Sequence, residues 1–148
     1  MVMIVPTTAG PTAVLAQELR RALSLATRRV KAERGEAGLP DPQFNVLALL
    51  HAHGPMTPGQ LAEAERIQPP SMTRSVNCLV ELGLVVKSEH PTDGRLVIVD
   101  LTGAGRAEVH ETRRRRDAWL TGRLDTLTDD ERAGLARAAE LLRRIAAS

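Results

Sequence analysis

The sequence predicts a mainly α-helical fold that carries one β-hairpin. Three observations predict it. Apolar residues recur at helical spacing near both ends of the chain, at Leu15, Leu19, Ala22, Leu23, Ala26 and Val30 and again at Leu135, Ala138, Leu142 and Ile145. The pattern turns to strand-like runs only at 84–89 and 96–101. Between those runs, His90-Pro91-Thr92-Asp93-Gly94-Arg95 carries the Pro and Asp-Gly chemistry of a tight turn.

The elements follow in order. Residues 1–11 read as a loose arm. A first helix spans 12–34, with Arg20, Arg21, Arg28 and Arg29 off its apolar stripe, and Gly35, Gly38 and Pro40 end it. Asp41-Pro42 supplies an N-cap and a first-turn proline for a second helix. Phe44 to Leu50 is apolar on nearly every side, which predicts a buried helix, and Gly54-Pro55 stops it. Thr57-Pro58 starts a short third helix through Leu61, Ala62 and Ala64, and Arg66 to Gln68 form a turn. Pro69-Pro70 opens a fourth helix that runs to Leu82, where Gly83 is the stop. Its inward residues are predicted to be Met72, Val76, Leu79 and Leu82. The hairpin occupies about 84–101.

Thr102 then caps a long helix over 103–126. Its first half is polar, with Glu111 spaced to pair with Arg114 and Arg115. Its second half gains an apolar stripe at Leu120, Leu124 and Leu127, with Trp119 beside it. Thr128 and Glu131 have capping-box spacing for a last helix. The terminal helices carry narrow apolar stripes, and a second chain is the simplest way to bury them.

Composition bounds the function. The 148 residues suit one domain, and 43% apolar with 26% charged residues is a globular profile. Phe44 and Trp119 are the only aromatics, so the core must be built from Leu, Val, Ile and Ala. The pI of about 9.3 accompanies a net charge of only +2. A high pI fits nucleic-acid binding, although an Arg bias with Lys31 and Lys87 as the only lysines also follows from a GC-rich genome. The single Cys78 excludes an intrachain disulfide and fits a reducing compartment. No apolar run reaches the roughly 20 residues of a membrane span, so a soluble cytoplasmic protein is expected. No Gly-rich phosphate loop, nucleophile elbow or metal-spaced His/Cys cluster is present, so neither catalysis nor a cofactor is expected. His51 and His53, at i and i+2, do not share a helix face, and no metal site is expected.

A short helix, a tight turn, a second helix and then a hairpin is the winged helix-turn-helix layout. Its second helix enters the major groove with its N-terminal side chains at the base edges. With Met72, Val76 and Leu79 inward, Pro70, Thr73, Arg74 and Asn77 lie on or beside the opposite face. Arg pairs with guanine and Asn with adenine through paired hydrogen bonds. Free N–H groups near Ser71 are expected to favour a phosphate. At the wing tip Arg95 suits the minor groove, with Asp93 placed to hold its guanidinium, and Lys87 is within reach of a phosphate. Cys78 falls on the flank of this helix, either at a packing boundary or as an oxidation switch. Arg113 to Arg116 point all around their helix and read as a solvated face.

The motifs carry a resemblance. Thr57-Pro58-Gly59-Gln60-Leu61-Ala62, Pro70-Ser71-Met72-Thr73-Arg74, Leu79-Val80-Glu81-Leu82-Gly83-Leu84-Val85, Pro91-Thr92-Asp93-Gly94-Arg95 and Leu101-Thr102 resemble the MarR (multiple antibiotic resistance regulator) family. The resemblance covers nearly the whole chain. The wing motif of Asp93, any residue and Arg95, with the Leu101-Thr102 pair after it, is its most specific part. It implies one domain over 1–148, with dimerisation helices at 12–34 and 103–148 and a DNA-binding lobe at 41–101. It implies a homodimer on a palindromic double-stranded operator, usually a repressor. It also implies a small anionic or phenolic effector between the dimer helices and the DNA-binding lobe, with His51 and Trp119 as candidate lining residues. Two positions depart from the family pattern. His90 stands where an acidic residue is common, which alters how the wing is braced. Cys78 stands near a common basic or polar phosphate contact, which leaves affinity more dependent on Arg74 and Arg95. The alternative function is a winged-helix module that binds protein or packages chromatin with little sequence preference.

Overall fold

The computed structural model describes residues 10–148. The loose arm expected at 1–11 lies almost wholly outside the described residues. Contacts divide the chain into two units, one ending at Ala32 and one running Glu33–Ser148.

The first unit holds α1 (Pro11–Lys31), which starts behind Gly10 with Pro11 at its first position. Arg28, Arg29 and Lys31 sit in its last turn, where the helix dipole favours positive charge. The helix stops short of the expected residue 34. The carbonyls of Glu33 and Arg34 instead accept side-chain N–H groups, from Arg116 Nε at 3.1 Å and Arg115 Nη1 at 3.0 Å.

The second unit contains α2 (Asp41–His53), α3 (Pro58–Glu65), α4 (Pro69–Glu81), β1 (Val85–Glu89), β2 (Val97–Leu101), α5 (Gly103–Leu124) and α6 (Asp129–Ala146). Its core draws on most of these elements. Leu47 of α2, Leu61 of α3, Met72 and Leu79 of α4, Val99 of β2 and Val109 of α5 are completely buried. The all-round apolar character of α2 is explained by this central place. Its cap differs from expectation. Pro40 is extended and its carbonyl accepts from Gln43 and Phe44, so Pro40 is the N-cap and Asp41 is already helical.

Helix α3 begins with a capping box, in which Thr57 Oγ1 accepts from Gln60 N at 3.1 Å and Gln60 Oε1 accepts from Thr57 N at 2.9 Å. It ends at Arg66, which takes the left-handed conformation at φ 54°. The chain then turns into α4.

The exit from α4 corrects one inward residue. Leu82 is 51% exposed. Gly83 N donates to Val80 O, and Leu84 N donates to Leu79 O, with Gly83 at φ 73°. This Schellman turn ends the helical projection before Leu82 and hands the inward position to buried Leu84.

Strands β1 and β2 pair antiparallel from Val85↔Leu101 to Glu89↔Val97. Met56 adds an isolated bridge to Val99, with backbone bonds of 3.0 and 2.8 Å. Sequence periodicity had no means to find a one-residue bridge after Gly54-Pro55. Thr102 joins the hairpin to α5, since its Oγ1 accepts from Gly105 N and donates to Gly83 O. Helix α6 opens with the expected Thr128–Glu131 box and buries none of its residues.

Candidate nucleic-acid interface

The candidate surface is built on α4 and the hairpin. Three buried residues, Met72, Val76 and Leu79, fix the inner face of α4. That leaves Pro70, Thr73, Arg74 and Asn77 exposed, with Ser71 and Cys78 half-buried at the edges. Arg74 Nη2 donates to Ser71 Oγ at 3.2 Å. Thr73 Oγ1 donates back to Pro69 O at 3.1 Å. Lys87 Nζ on β1 donates to Asn77 Oδ1, which ties the first wing strand to the exposed face of α4.

The N-terminus of α4 differs from expectation. Its first two positions are Pro69 and Pro70, which have no N–H. Ser71 N and Met72 N both donate to Gln68 O. The free donors expected near Ser71 are therefore already used or absent, and the anion-binding argument loses its basis there.

The wing tip is ordered by two side chains. Asp93 accepts from Arg95 three times, from Nε at 3.1 Å, from Nη2 at 3.3 Å and from its backbone N at 3.1 Å. The guanidinium and then the backbone N–H of Arg95 hold the Asp93 carboxyl below its ordinary value. The Arg95 side chain is nevertheless 91% exposed, so it is fixed in direction and open to solvent. His90 closes the turn from the other side. Its Nδ1 faces Thr92 N and Asp93 N, each at 3.2 Å, and Thr92 Oγ1 at 3.3 Å.

The four successive arginines of α5, Arg113 to Arg116, do not form a uniform solvated face. Arg114 and Arg115 both bind Glu111, whose carboxyl those hydrogen bonds hold down at about 2. Arg115 and Arg116 are half-buried and reach the carbonyls that follow α1. Arg116 also lies over the Phe44 ring, 4.6 Å from its centroid. Sequence could show Glu111 spaced for pairing but not the distant carbonyls.

His51 meets His110 of α5 edge to face, with centroids 5.3 Å apart. Desolvation, then Arg113, His110 and Arg106, push the His51 pKa down. Arg106, His110 and Arg113 share one face of α5 at i, i+4 and i+7. Trp119 lies nine residues beyond His110, roughly 13 Å along the helix axis. It is half-buried, with the Arg123 guanidinium 5.4 Å from its ring centre. His51 and Trp119 are therefore not brought together.

The hollows among the described residues include two in the second unit. One of about 600 Å³ is lined by Glu36, Ala37, Leu84, Ala104, Ala107, Glu108 and Glu111. The other, about 400 Å³, is an apolar trough between α5 and α6 at Leu120, Leu124 and Leu135. Neither includes His51 or Trp119. Among the described residues no three His, Cys, Asp or Glu side chains converge as a metal site. No described helix is long and apolar enough to cross a membrane.

Known proteins share this arrangement. A sequence profile of the MarR family matches residues 37–96. The chain is 39% identical over 128 residues to an uncharacterized HTH-type transcriptional regulator of Mycobacterium leprae, covering 86% of this chain and 90% of that one. A Pseudomonas aeruginosa crystal structure assigned to a transcriptional regulator protein superposes with a TM-score of 0.80 at 32% identity, covering 95% of this chain and 99% of the other. A mutant of S. aureus MepR bound to an oligodeoxyribonucleotide shares the fold, with a TM-score of 0.69 at 17% identity over 88% of this chain and 97% of that one. With its helix-turn-helix, its wing and these relatives, the chain belongs to the MarR family of DNA-binding transcriptional regulators.

Proposed function

We propose that the protein is a cytoplasmic repressor that binds a palindromic operator as a homodimer and leaves it when a small anionic effector binds. The observation that carries the reading is the pairing of an exposed Arg74–Asn77 face on α4 with a wing Arg95 preset by Asp93. Arg74 and Asn77 read bases in the major groove, Pro70, Ser71 and Thr73 line the approach, Lys87 meets a phosphate and Arg95 enters the minor groove.

Dimerisation is supported by apolar side chains exposed in the single chain. Val14, Leu15, Leu23 and Leu25 are exposed on α1, Leu120 on α5, and Leu135, Leu141 and Ile145 on α6. Such a dimer sets two recognition helices about 34 Å apart, so half-sites are centred about 10 base pairs apart. The effector reading is supported by His51, Arg106, His110 and Arg113, a basic group in which neither arginine has an ion-pair partner among the described residues. An anion there relieves their mutual repulsion. Cys78 is the chain's only thiol, so an oxidation switch would have to act through an adduct or an intermolecular disulfide.

The test is selection of bound duplexes from genomic fragments, followed by footprinting. A two-fold symmetric footprint, at least 10³-fold preferred over random DNA, supports the reading. Uniform binding to all sequences, or a monomer on an asymmetric site, overturns it in favour of a low-specificity module.

A further inference from the structure

We infer that His90 is the positioning residue of the wing: its neutral imidazole holds the turn that presents Arg95, and protonation of Nδ1 releases it. The inference rests on the wing's DNA-binding role proposed above.

Three donors converge on one ring nitrogen. Thr92 N and Asp93 N each stand 3.2 Å from His90 Nδ1, and the Thr92 hydroxyl stands 3.3 Å away. A nitrogen facing backbone N–H groups can only accept, so in this turn Nδ1 carries no proton and Nε2 does. The His90 backbone N–H in turn donates to Leu96 O, which closes the hairpin end across the turn. The residue whose N–H is held, Asp93, is the residue that holds Arg95. The chain of contacts therefore runs from the imidazole through the Asp93 backbone to the guanidinium at the tip.

Covalent geometry explains why a histidine can fill this position. Nδ1 is as many bonds from Cα as the side-chain oxygen of Asp or Asn, which accept from backbone N–H groups two residues on in Asx turns. His90 thus copies an Asx acceptor, with one difference: an imidazole nitrogen can take up a proton and become a donor. A protonated Nδ1 is a donor pointed at donors, and the turn must open. The charged group that interacts with the imidazole is the Asp93 carboxylate, itself bound to Arg95, while Glu89 precedes His90 in the chain at the end of β1. The Asp93 carboxylate is engaged first by Arg95, and its pKa is also lowered by a charged His90, so its attraction for an imidazolium opposes the loss of the two backbone N–H bonds at Nδ1.

Two measurements test this on the full chain. The first needs no DNA. The backbone amide signals of Thr92 and Asp93 are followed by NMR from pH 8 to pH 5 in wild type and in His90→Asn. Both amides are expected to move with the His90 ring signal in wild type and to stay in place in His90→Asn. Amides that ignore the His90 titration overturn the brace. The second uses a duplex selected from a random pool at pH 8. Affinity of His90→Asn is expected within about twofold of wild type at pH 8, and His90→Ala to be about fivefold weaker. On going to pH 5.5, wild type is expected to lose about fivefold relative to His90→Asn, which keeps His51, His53 and His110 as an internal control for added charge. Parallel pH profiles for the two proteins overturn the release step. If no duplex is selected, the DNA-binding role fails while the NMR result still decides the brace.

Discussion

Lys87 and Asn77 are hydrogen-bonded to each other across the junction of wing and recognition helix. The ammonium occupies the oxygen of the carboxamide and leaves its NH2 as the end without a hydrogen bond to Lys87. Reading an adenine requires both ends of that carboxamide. On the proposed reading, in which Asn77 reads a base and Lys87 meets a phosphate, the lysine must yield the oxygen when DNA binds.

The two residues are expected to be coupled. In a double-mutant cycle on operator binding, Lys87→Ala and Asn77→Ala should be non-additive by about 0.5 kcal/mol or more. Strict additivity would show that the pair is incidental to binding.

Asp93 orders Arg95 through three hydrogen bonds, and on the proposed reading that ordering is its part in DNA binding. Immobilising a long side chain costs about 0.5–1.5 kcal/mol. Asp93→Ala should therefore weaken binding by a few fold, and Arg95→Ala by clearly more. The comparison belongs at high salt, where the extra positive charge left by Asp93→Ala is screened. Equal losses in the two variants would contradict preorganisation.

Two glycines should tolerate a methyl group very differently. A Cβ on Gly105 would stand 2.0 Å from the backbone oxygen of Leu84, whereas one on Gly35 meets the side-chain atoms of Glu108 and Thr112, at 2.2 and 2.5 Å. A side chain can rotate away and a backbone carbonyl cannot. Gly105→Ala is expected to cost about 3 kcal/mol or more in urea unfolding and Gly35→Ala about 1–2 kcal/mol. The reverse order would argue against the close passage of α5 over Leu84.

Acid should loosen the grip of α5 on its own arginines. The Glu111 carboxyl is lowered from 4.5 to about 2 by hydrogen bonds from Arg114 and then Arg115. A lowered pKa contributes stability that is complete above 4.5 and lost as the pH falls through about 2. Glu111→Gln should thus be less stable than wild type at neutral pH, with the gap closing between those limits. Urea unfolding at several acidic pH values checks it, and a gap independent of pH would exclude the linkage.

Much of this architecture was legible because local chemistry announced it. Thr57, Thr102 and Thr128 each precede a helix and each caps one. The Asp-Gly turn, the buried stripe of Met72, Val76 and Leu79 and the Asp93–Arg95 pair also followed from spacing alone. What escaped depended on distant partners or on the exact end of a helix. Leu82 fits the inward stripe until the Schellman turn ends the helix. The bridge from Met56 to Val99, and the bonds from Arg115 and Arg116 to carbonyls some 80 residues away, leave no periodic trace. The spent N-terminus of α4 could have been read, since Pro69 and Pro70 declare their missing N–H groups.

Thr102 has a mechanical consequence. Its hydroxyl accepts from α5 and donates to Gly83 at the exit of α4, while Thr102 N donates to Leu84 O and Gly105 packs on the same carbonyl. This joint has almost no slack, so the hairpin is a rigid arm on the end of a 22-residue shaft. A small rotation at the far end of that shaft would be delivered at the wing tip as a displacement, and the reach of Arg95 becomes a gauge of the shaft's angle.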